Sequence, residues 1–309
     1  MTQSTAFKTE WDKLFIGGKW VEPATSDVIE VHSPATGELV GKVPLASAAD
    51  VDAACAAARK AFDEGPWPQM SPDERAEILG RAVKIMEERG DELKFLLSAE
   101  TGQPTTIVDM MQYGAAMSAF QYYAGAADKF TWQEIRDGVY GQTLVVREPI
   151  GVVGAVTAWN VPFFLAANKL GPALLAGCTM VLKPAAETPL SVFAMAEMFA
   201  EAGLPEGVLS IVPGGAETGR ALTANPNLDK YTFTGSSAVG FIQQKILSTP
   251  LTALYRVSTL LLEVLTPLCT LIDLGLYVNM PDFPLWKKVT NSTGKISRLA
   301  NKAFQWPLI

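Results

Sequence analysis

From Gly151 to Gly235 the chain alternates short apolar runs with longer amphipathic ones, and this alternation constrains the fold more than any other feature. GVVGAVT, TMVLKP, VLSIVP and KYTFTG have the length and apolar content of strands, while PFFLAANKLGPALLAG, PLSVFAMAEMFAEAG and GGAETGRALTAN between them read as helices. Strands that are apolar throughout are buried on both faces. Parallel neighbours cannot be joined by a tight turn, so each pair needs a crossover, and here every crossover is a helix. The expected core is an α/β doubly wound parallel sheet of Rossmann-like type, covered by helices on both sides.

The residues before Gly151 open with strand-like pieces, LFIGGKWVEP and DVIEVHSPATGELVGKVPLA, broken at Gly and Pro. Helices follow. DVDAACAAARKAFDE is helical in composition, and SPDERAEILGRAVKIMEERG starts with a capping box, Ser71 with Glu74, has Pro72 at its first position and ends at Gly90. Ile78, Ala82, Ile85 and Met86 share one inward face of it. DELKFLLSAETG and TTIVDMMQYGAAMSAFQYYAGAADKF complete an N-terminal helical layer, in which Met110, Met111 and Met117 read as core filler. TWQEIRDGVYGQTLVVREPI reads as two strands around a Gly-containing turn, a bridging β-hairpin. After Gly240, FIQQKIL carries a helix on from the turn. The following stretch is apolar and irregular, interrupted by Pro250, Pro267, Pro281 and Pro284, and no further strand–helix–strand unit is read there. The expected organisation is one domain from 1–130 and 150–248, a hairpin at 131–149 and a divergent, unassigned tail at 249–309.

Charge and rare residues exclude several functions. The net charge of -7 offers little to phosphate backbones or anionic lipid, so no nucleic acid and no membrane partner is expected. Cys55, Cys178 and Cys269 are widely spaced, which indicates neither a disulfide framework nor a thiolate metal site. His32, the single histidine, sits in VHSPATGEL as a solvated loop residue, so Ser-His-Asp hydrolysis and histidine-based metal sites are excluded. The N-terminal MTQSTAFKTEWDKLF lacks the apolar segment of a secretory signal, and Arg256, Glu263 and Asp273 interrupt the most apolar part of the tail. A soluble, cytoplasmic protein without a metal is expected.

Three short motifs fall at strand ends, where ligands of open α/β sheets bind. In TAWNVPF, Asn160 offers a side-chain amide just past a strand, suited to an oxyanion. In VLKPAAETP, Lys183 ends a strand immediately before Pro184, where its ammonium can reach a ribose hydroxyl or a phosphate. In FTGSSAVG, Gly235 lets the backbone approach a pyrophosphate, Ser236 offers a hydroxyl, and the helix N-terminus adds amides and a favourable dipole. Each has a plainer reading: a loop Asn bonding its own backbone, a strand-end Lys reaching solvent, an isolated GxxxxG.

Taken together, in this order and on this strand and helix pattern, the motifs resemble the aldehyde dehydrogenase superfamily. GLPEGVLSIVPGGAETG, FIGGKW, SPATGE and REPIGVVGAVTAWNVP are also similar to that family, and the likeness runs from about Leu14 to Gly240. It implies oxidation of a small-molecule aldehyde to the acid with NAD or NADP as hydride acceptor. The implied cofactor-binding residues are Thr157, Ala158, Trp159, Lys183, Ala185, Ala186, Glu187, Gly215, Gly219, Phe233, Thr234, Gly235, Ser236 and Val239. Lys183 would meet the adenosine ribose, Gly215 and Gly219 the adenine, and Ser236 the pyrophosphate. Where the family often has a Glu three residues after this lysine, the chain has Ala186, with Glu187 one further on, which leaves NAD against NADP undecided.

Of the family's catalytic groups only Asn160, the oxyanion donor, has a counterpart. No match to the general-base motif ELGGK or the nucleophile motif GQxC follows Gly240, and Cys269 in LTPLCTLI lacks the flanking Gly-Gln. The expectation is a truncated, inactive member of the family, or alternatively a non-catalytic dinucleotide-binding or interaction module. The hairpin would pair in the family with a C-terminal strand of a neighbouring subunit, so a homo-oligomer is implied although that strand has no match here.

Overall fold

The computed structural model describes residues 7–139, 141–247 and 257–262. The chain divides into two compact units, 1–262 and 263–309, the second lying outside the described residues. The expected readings of Cys269, Pro267, Pro281 and Pro284 therefore fall outside them too.

The apolar runs form the predicted strands: β7 (Val152–Val156), β8 (Thr179–Lys183), β9 (Leu209–Ile211) and β10 (Lys230–Gly235). Every residue of β7, β8 and β9 is buried, as strands covered on both faces must be. Between them lie α6 (Pro162–Leu175), α7 (Leu190–Glu201) and α8 (Ala216–Ala224). Two further strands, β1 (Leu14–Ile16) and β2 (Lys19–Val21), add an antiparallel edge through pairing of Phe15 with Ile211.

The absence of a strand–helix–strand unit after Gly240 is corrected by the structure. After α9 (Ser237–Leu247), β11 (Val257–Leu262) runs parallel to β10 over six residue pairs, Lys230 with Val257 to Gly235 with Leu262. The sheet then has seven strands in the order β11-β10-β7-β8-β9-β1-β2. RVSTLLLEVL has the apolar content of a buried strand but no glycine or capping residue to frame it, so its start cannot be fixed from sequence.

The helical layer is as expected in outline. It comprises α1 (Ala48–Glu64), α2 (Pro72–Glu88), α3 (Gly90–Thr101), a short turn α4 (Thr105–Ile107) and α5 (Ala115–Ala124). The Ser71 and Glu74 capping box forms, with the Glu74 N–H donating to Ser71 Oγ at 3.2 Å and the Ser71 N–H to Glu74 Oε2 at 2.7 Å. Gly90 does not close α2; it opens α3, where any Cβ would come within 2.8 Å of the Tyr113 hydroxyl. The methionines are corrected in part: Met117 is buried, but Met110 is 65% exposed. The cause is a π-helical turn at Val108–Gly114, whose wider winding rotates Met110 outward and brings Gln112 fully inside.

α6 and α7 cover one face of the sheet, backed by α2, α3 and α5; α1 packs with α8 on the other, and α9 continues that layer. The hairpin forms a separate two-stranded sheet, β5 (Gln133–Gly138) with β6 (Gly141–Val146), as does β3 (Val28–His32) with β4 (Leu39–Pro44). His32 ends β3 rather than lying in a loop, and its side chain is half exposed beside Glu30. Cys55 and Cys178 are buried and form no disulfide.

Candidate functional site

The chain order of the sheet reverses between β7 and β10. From β7 the chain moves outward through β8 to β9, then crosses back to place β10 on the other side of β7. A crevice opens outside the carboxyl ends of two strands whose crossovers leave on opposite faces. Val156 pairs with Lys183 on one side and with Phe233 on the other, so the loops carrying all three sequence motifs leave the sheet at one level.

The loop after β7 is held by side chains from the helical layer. Gln103 and Gln112 both donate from Nε2 to the Asn160 carbonyl, each at 3.0 Å, and Gln112 Nε2 also donates to Gln103 Oε1 at 3.1 Å. Gln103 follows Gly102, whose left-handed backbone (φ 69°) ends α3, so the helix terminus aims it at the loop. Thr188 Oγ1 donates to the Trp159 carbonyl at 3.1 Å, joining this loop to the one after β8. Thr157 Oγ1 and Asn160 Oδ1 are buried without a partner, Ala158 is buried, and Trp159 is 58% exposed.

Lys183 does not reach solvent. It is 6% exposed, and its Nζ donates to the Pro184 carbonyl at 3.2 Å. Burial pushes its ammonium down to about 8, with the nearby Glu187 carboxylate opposing the shift. Ala185 is buried, Ala186 half-buried and Glu187 exposed. The Lys183 Cε lies 3.7 Å from the place a Cβ on Gly219 would occupy, so a side chain there would press on the amine stem. Gly215, at the N-cap of α8, faces free space.

At the end of β10 a Cβ on Gly235 would fall 2.6 Å from the Phe233 ring, which is itself buried, so the turn demands glycine. Ser236 caps α9, accepting the Val239 N–H at 3.4 Å, and is exposed together with Val239. Thr234 is buried and accepts a hydrogen bond from Lys169 Nζ at 2.9 Å; Thr232 accepts another at 3.1 Å. That lysine, inside the apolar helix PFFLAANKLGPALL, escaped the sequence reading, as did Gln103, Gln112 and Gln243. A charged residue in an apolar helix was the only local signal for any of them.

Among the described residues no cluster of three or more His, Cys, Asp and Glu could hold a metal ion. A shallow surface cleft lined by Asp12, Glu22, Ser26 and Asp27 includes no residue of the three motif loops. What the strand ends offer instead is a glycine turn at a helix N-terminus, a buried amine and unpartnered buried oxygens, which fits a phosphorylated, hydroxyl-rich ligand.

The sequence profile of the Aldehyde dehydrogenase family matches residues 20–262. The chain belongs to that family. The match runs past Gly240 through β11, beyond the stretch in which the sequence motifs are recognisable. Among curated relatives, the chain is 41% identical over 240 residues to "Aldehyde dehydrogenase 1" of Tanacetum cinerariifolium, covering 77% of this chain and 48% of that one. It is 40% identical over 230 residues to the geranial dehydrogenase of Castellaniella defragrans, covering 74% and 48%. The chain thus spans about half the length of the curated relatives it matches. A Mycobacterium tuberculosis aldehyde dehydrogenase solved in complex with NAD+ superposes with a TM-score of 0.80 at 64% identity, covering 82% of this chain and 52% of that one. The NAD+ complex of the Bacillus cereus enzyme gives 0.77 at 34% identity, covering 84% and 53%. The α/β fold with its parallel sheet is that of aldehyde dehydrogenase structures. Among the described residues no helix is long and apolar enough to cross a membrane.

Proposed function

We propose that residues 1–130 and 150–248 bind the adenosine and pyrophosphate half of NAD or NADP, as the dinucleotide-binding part of an aldehyde-oxidising enzyme. The observation that carries this is the convergence at the reversal point of the sheet: Lys183, Asn160 and the Gly235 turn leave three parallel strands at one level. Relatives of this fold are solved with NAD+ bound. When bound, the dinucleotide supplies a hydride acceptor. The chain's own residues supply the rest: Gly235 admits the pyrophosphate, the Ser236 hydroxyl and the amides opening α9 donate to it, and Lys183 donates to the ribose. Asn160, its loop fixed by Gln103 and Gln112, is placed for an oxyanion.

The 309-residue polypeptide is proposed to bind dinucleotide without oxidising aldehyde. Its sequence contains neither ELGGK nor GQxC. Cys55 and Cys178 are buried, and burial raises the Cys178 thiol above its ordinary value, the opposite of what a nucleophile needs. The 131–149 hairpin is proposed as a contact between copies of the chain, and buried cysteines that form no disulfide suit a reducing, cytoplasmic setting. Calorimetry with ADP-ribose and an aldehyde-dependent NAD(P)H assay test the reading. Binding in the micromolar to millimolar range without turnover is expected; absence of heat at millimolar ADP-ribose overturns the binding, and turnover abolished by Cys269→Ser overturns the inactivity.

A further inference from the structure

Gln243 lies on α9, two turns beyond the Gly235 turn, and is 5% exposed. Its Oε1 is buried and has no hydrogen-bond partner. Its Nε2 lies 3.8 Å from the Cβ position of Gly219, the same point that Lys183 Cε approaches to 3.7 Å. The end of β8, the first turn of α8 and the middle of α9 therefore bring an amine, a bare backbone and an orphan acceptor to one place. A buried acceptor left unpaired is destabilising, and a leucine would fill similar space without that penalty. Lys183 Nζ donates to the Pro184 carbonyl at 3.2 Å and not to Gln243, and Glu187 brings an exposed carboxylate, which has no donor to give. A bound ligand can supply the missing donor.

We infer that Gln243 Oε1 accepts a hydrogen bond from a ribose hydroxyl on the adenosine half of the dinucleotide, next to Lys183; this rests on the reading of the site proposed above. A vicinal diol matches the pair. Each hydroxyl both donates and accepts, so one oxygen takes the Lys183 donor while a hydroxyl donates to Gln243. A fully ionised phosphate offers only acceptors and leaves Gln243 unsatisfied. Ala186 and the exposed Glu187 place no buried carboxylate at the end of β8, so the neutral amide is the acceptor available there.

Calorimetry on the full chain with ADP-ribose as the probe tests this. Gln243→Leu should weaken ADP-ribose about threefold to tenfold, the loss of one neutral hydrogen bond. It should also raise the Tm of the free protein, because the orphan acceptor is gone. On the wild-type chain, ADP-ribose lacking either the 2'- or the 3'-hydroxyl of the adenosine should lose a similar factor, and Gln243→Leu should lose little further with that analogue. Full affinity of the deoxy analogues for wild type overturns the contact even if the variant folds poorly, and the smaller further loss in Gln243→Leu separates Gln243 from Lys183. Equal affinity of wild type and Gln243→Leu, full affinity of both deoxy analogues, or a loss seen only when the adenine amino group is replaced by oxygen each overturns the inference while leaving dinucleotide binding intact. No heat from wild type overturns the site reading itself, and the inference with it.

Discussion

The Glu100 carboxylate accepts the Ser191 hydroxyl at 2.5 Å, joining the last turn of α3 to the first turn of α7 across 91 residues of sequence. The Ser191 N–H at 3.3 Å and the Leu190 N–H at 2.7 Å complete its donors. α7 is thereby capped by a side chain from another helix, since its own N-cap position is Pro189, whose ring carries no hydrogen-bond acceptor. The capped helix directly follows the loop that carries Lys183. The C-terminal end of α3 thus braces two of the three loops of the candidate site, the one after β7 through Gln103 and the one after β8 through the Glu100 cap on α7.

Burial drives the Glu100 carboxyl up to about 7 from 4.5, with the Ser191 and Leu190 donors pulling the other way. The folded chain therefore holds a proton that the unfolded chain gives up between about 4.5 and 7. This contribution is full below 4.5 and is lost as pH rises through about 7; its size is on the order of 3 kcal/mol. Glu100→Gln should remove that slope. Urea midpoints at acid and at mildly alkaline pH should lie closer together in the variant than in wild type, and an unchanged gap would show that Glu100 is not the group responsible.

Gly235→Ala places a methyl group against the Phe233 ring, 2.6 Å away and walled in by the sheet. Overpacking of this kind costs about 1–3 kcal/mol. We expect a lower Tm together with loss of ADP-ribose binding, because relief of the clash must move the β10 turn. Gly215→Ala, which meets free space, is the control and should lower Tm only by the loss of a glycine N-cap, less than Gly235→Ala.

The central sheet was legible because each buried strand is apolar along its whole length and each crossover is amphipathic, so local pattern and tertiary position agree. Lys183 and Gly235 were legible for the same reason: both stand where such a run stops. What sequence could not show depends on partners far away in the chain. Gln103 and Gln112 meet the Asn160 carbonyl across 57 and 48 residues, and neither has a local feature that distinguishes it from a solvated glutamine. Met110 was misplaced because the wider π turn at Val108–Gly114 breaks the 3.6-residue period on which the core assignment relied. β1 and β2 read as strands, but their place at the edge of the sheet rests on a single pairing with Ile211.

The hairpin β5 and β6 exposes Ile135 (65%), Val139 (93%) and Leu144 (60%). Two-stranded ribbons are marginal alone, and apolar residues on one invite a partner. We expect the chain to self-associate through it, and Ile135→Lys with Leu144→Lys to shift the mass toward monomer. The Tm of that monomer should change by less than the equivalent of about 0.5 kcal/mol, as exposed substitutions do. Light scattering after size exclusion reads the mass; a multimer unaffected by both lysines would place the contact elsewhere.

Lys183 gives the site a pH dependence of opposite sign for stability and for binding. Its folded value is lowered to about 8 from 10.5, so between these values the folded chain binds fewer protons than the unfolded one. This group's contribution to stability therefore rises as pH increases from about 8 to 10.5, as the buried charge is relieved. Binding runs the other way. A ribose oxygen or phosphate that takes its hydrogen bond from the ammonium holds the proton on Lys183, and above about 8 the free protein must acquire that proton first. ADP-ribose affinity should be flat from pH 6.5 to 7.5 and fall by up to about tenfold per unit beyond the Lys183 value, the limit for one required proton. Lys183→Met should bind weakly at every pH and lose the step. Calorimetry in two buffers of different ionisation enthalpy should show proton uptake on binding to wild type near pH 9 and none in the variant; equal heats for wild type in both buffers would remove Lys183 from the contact.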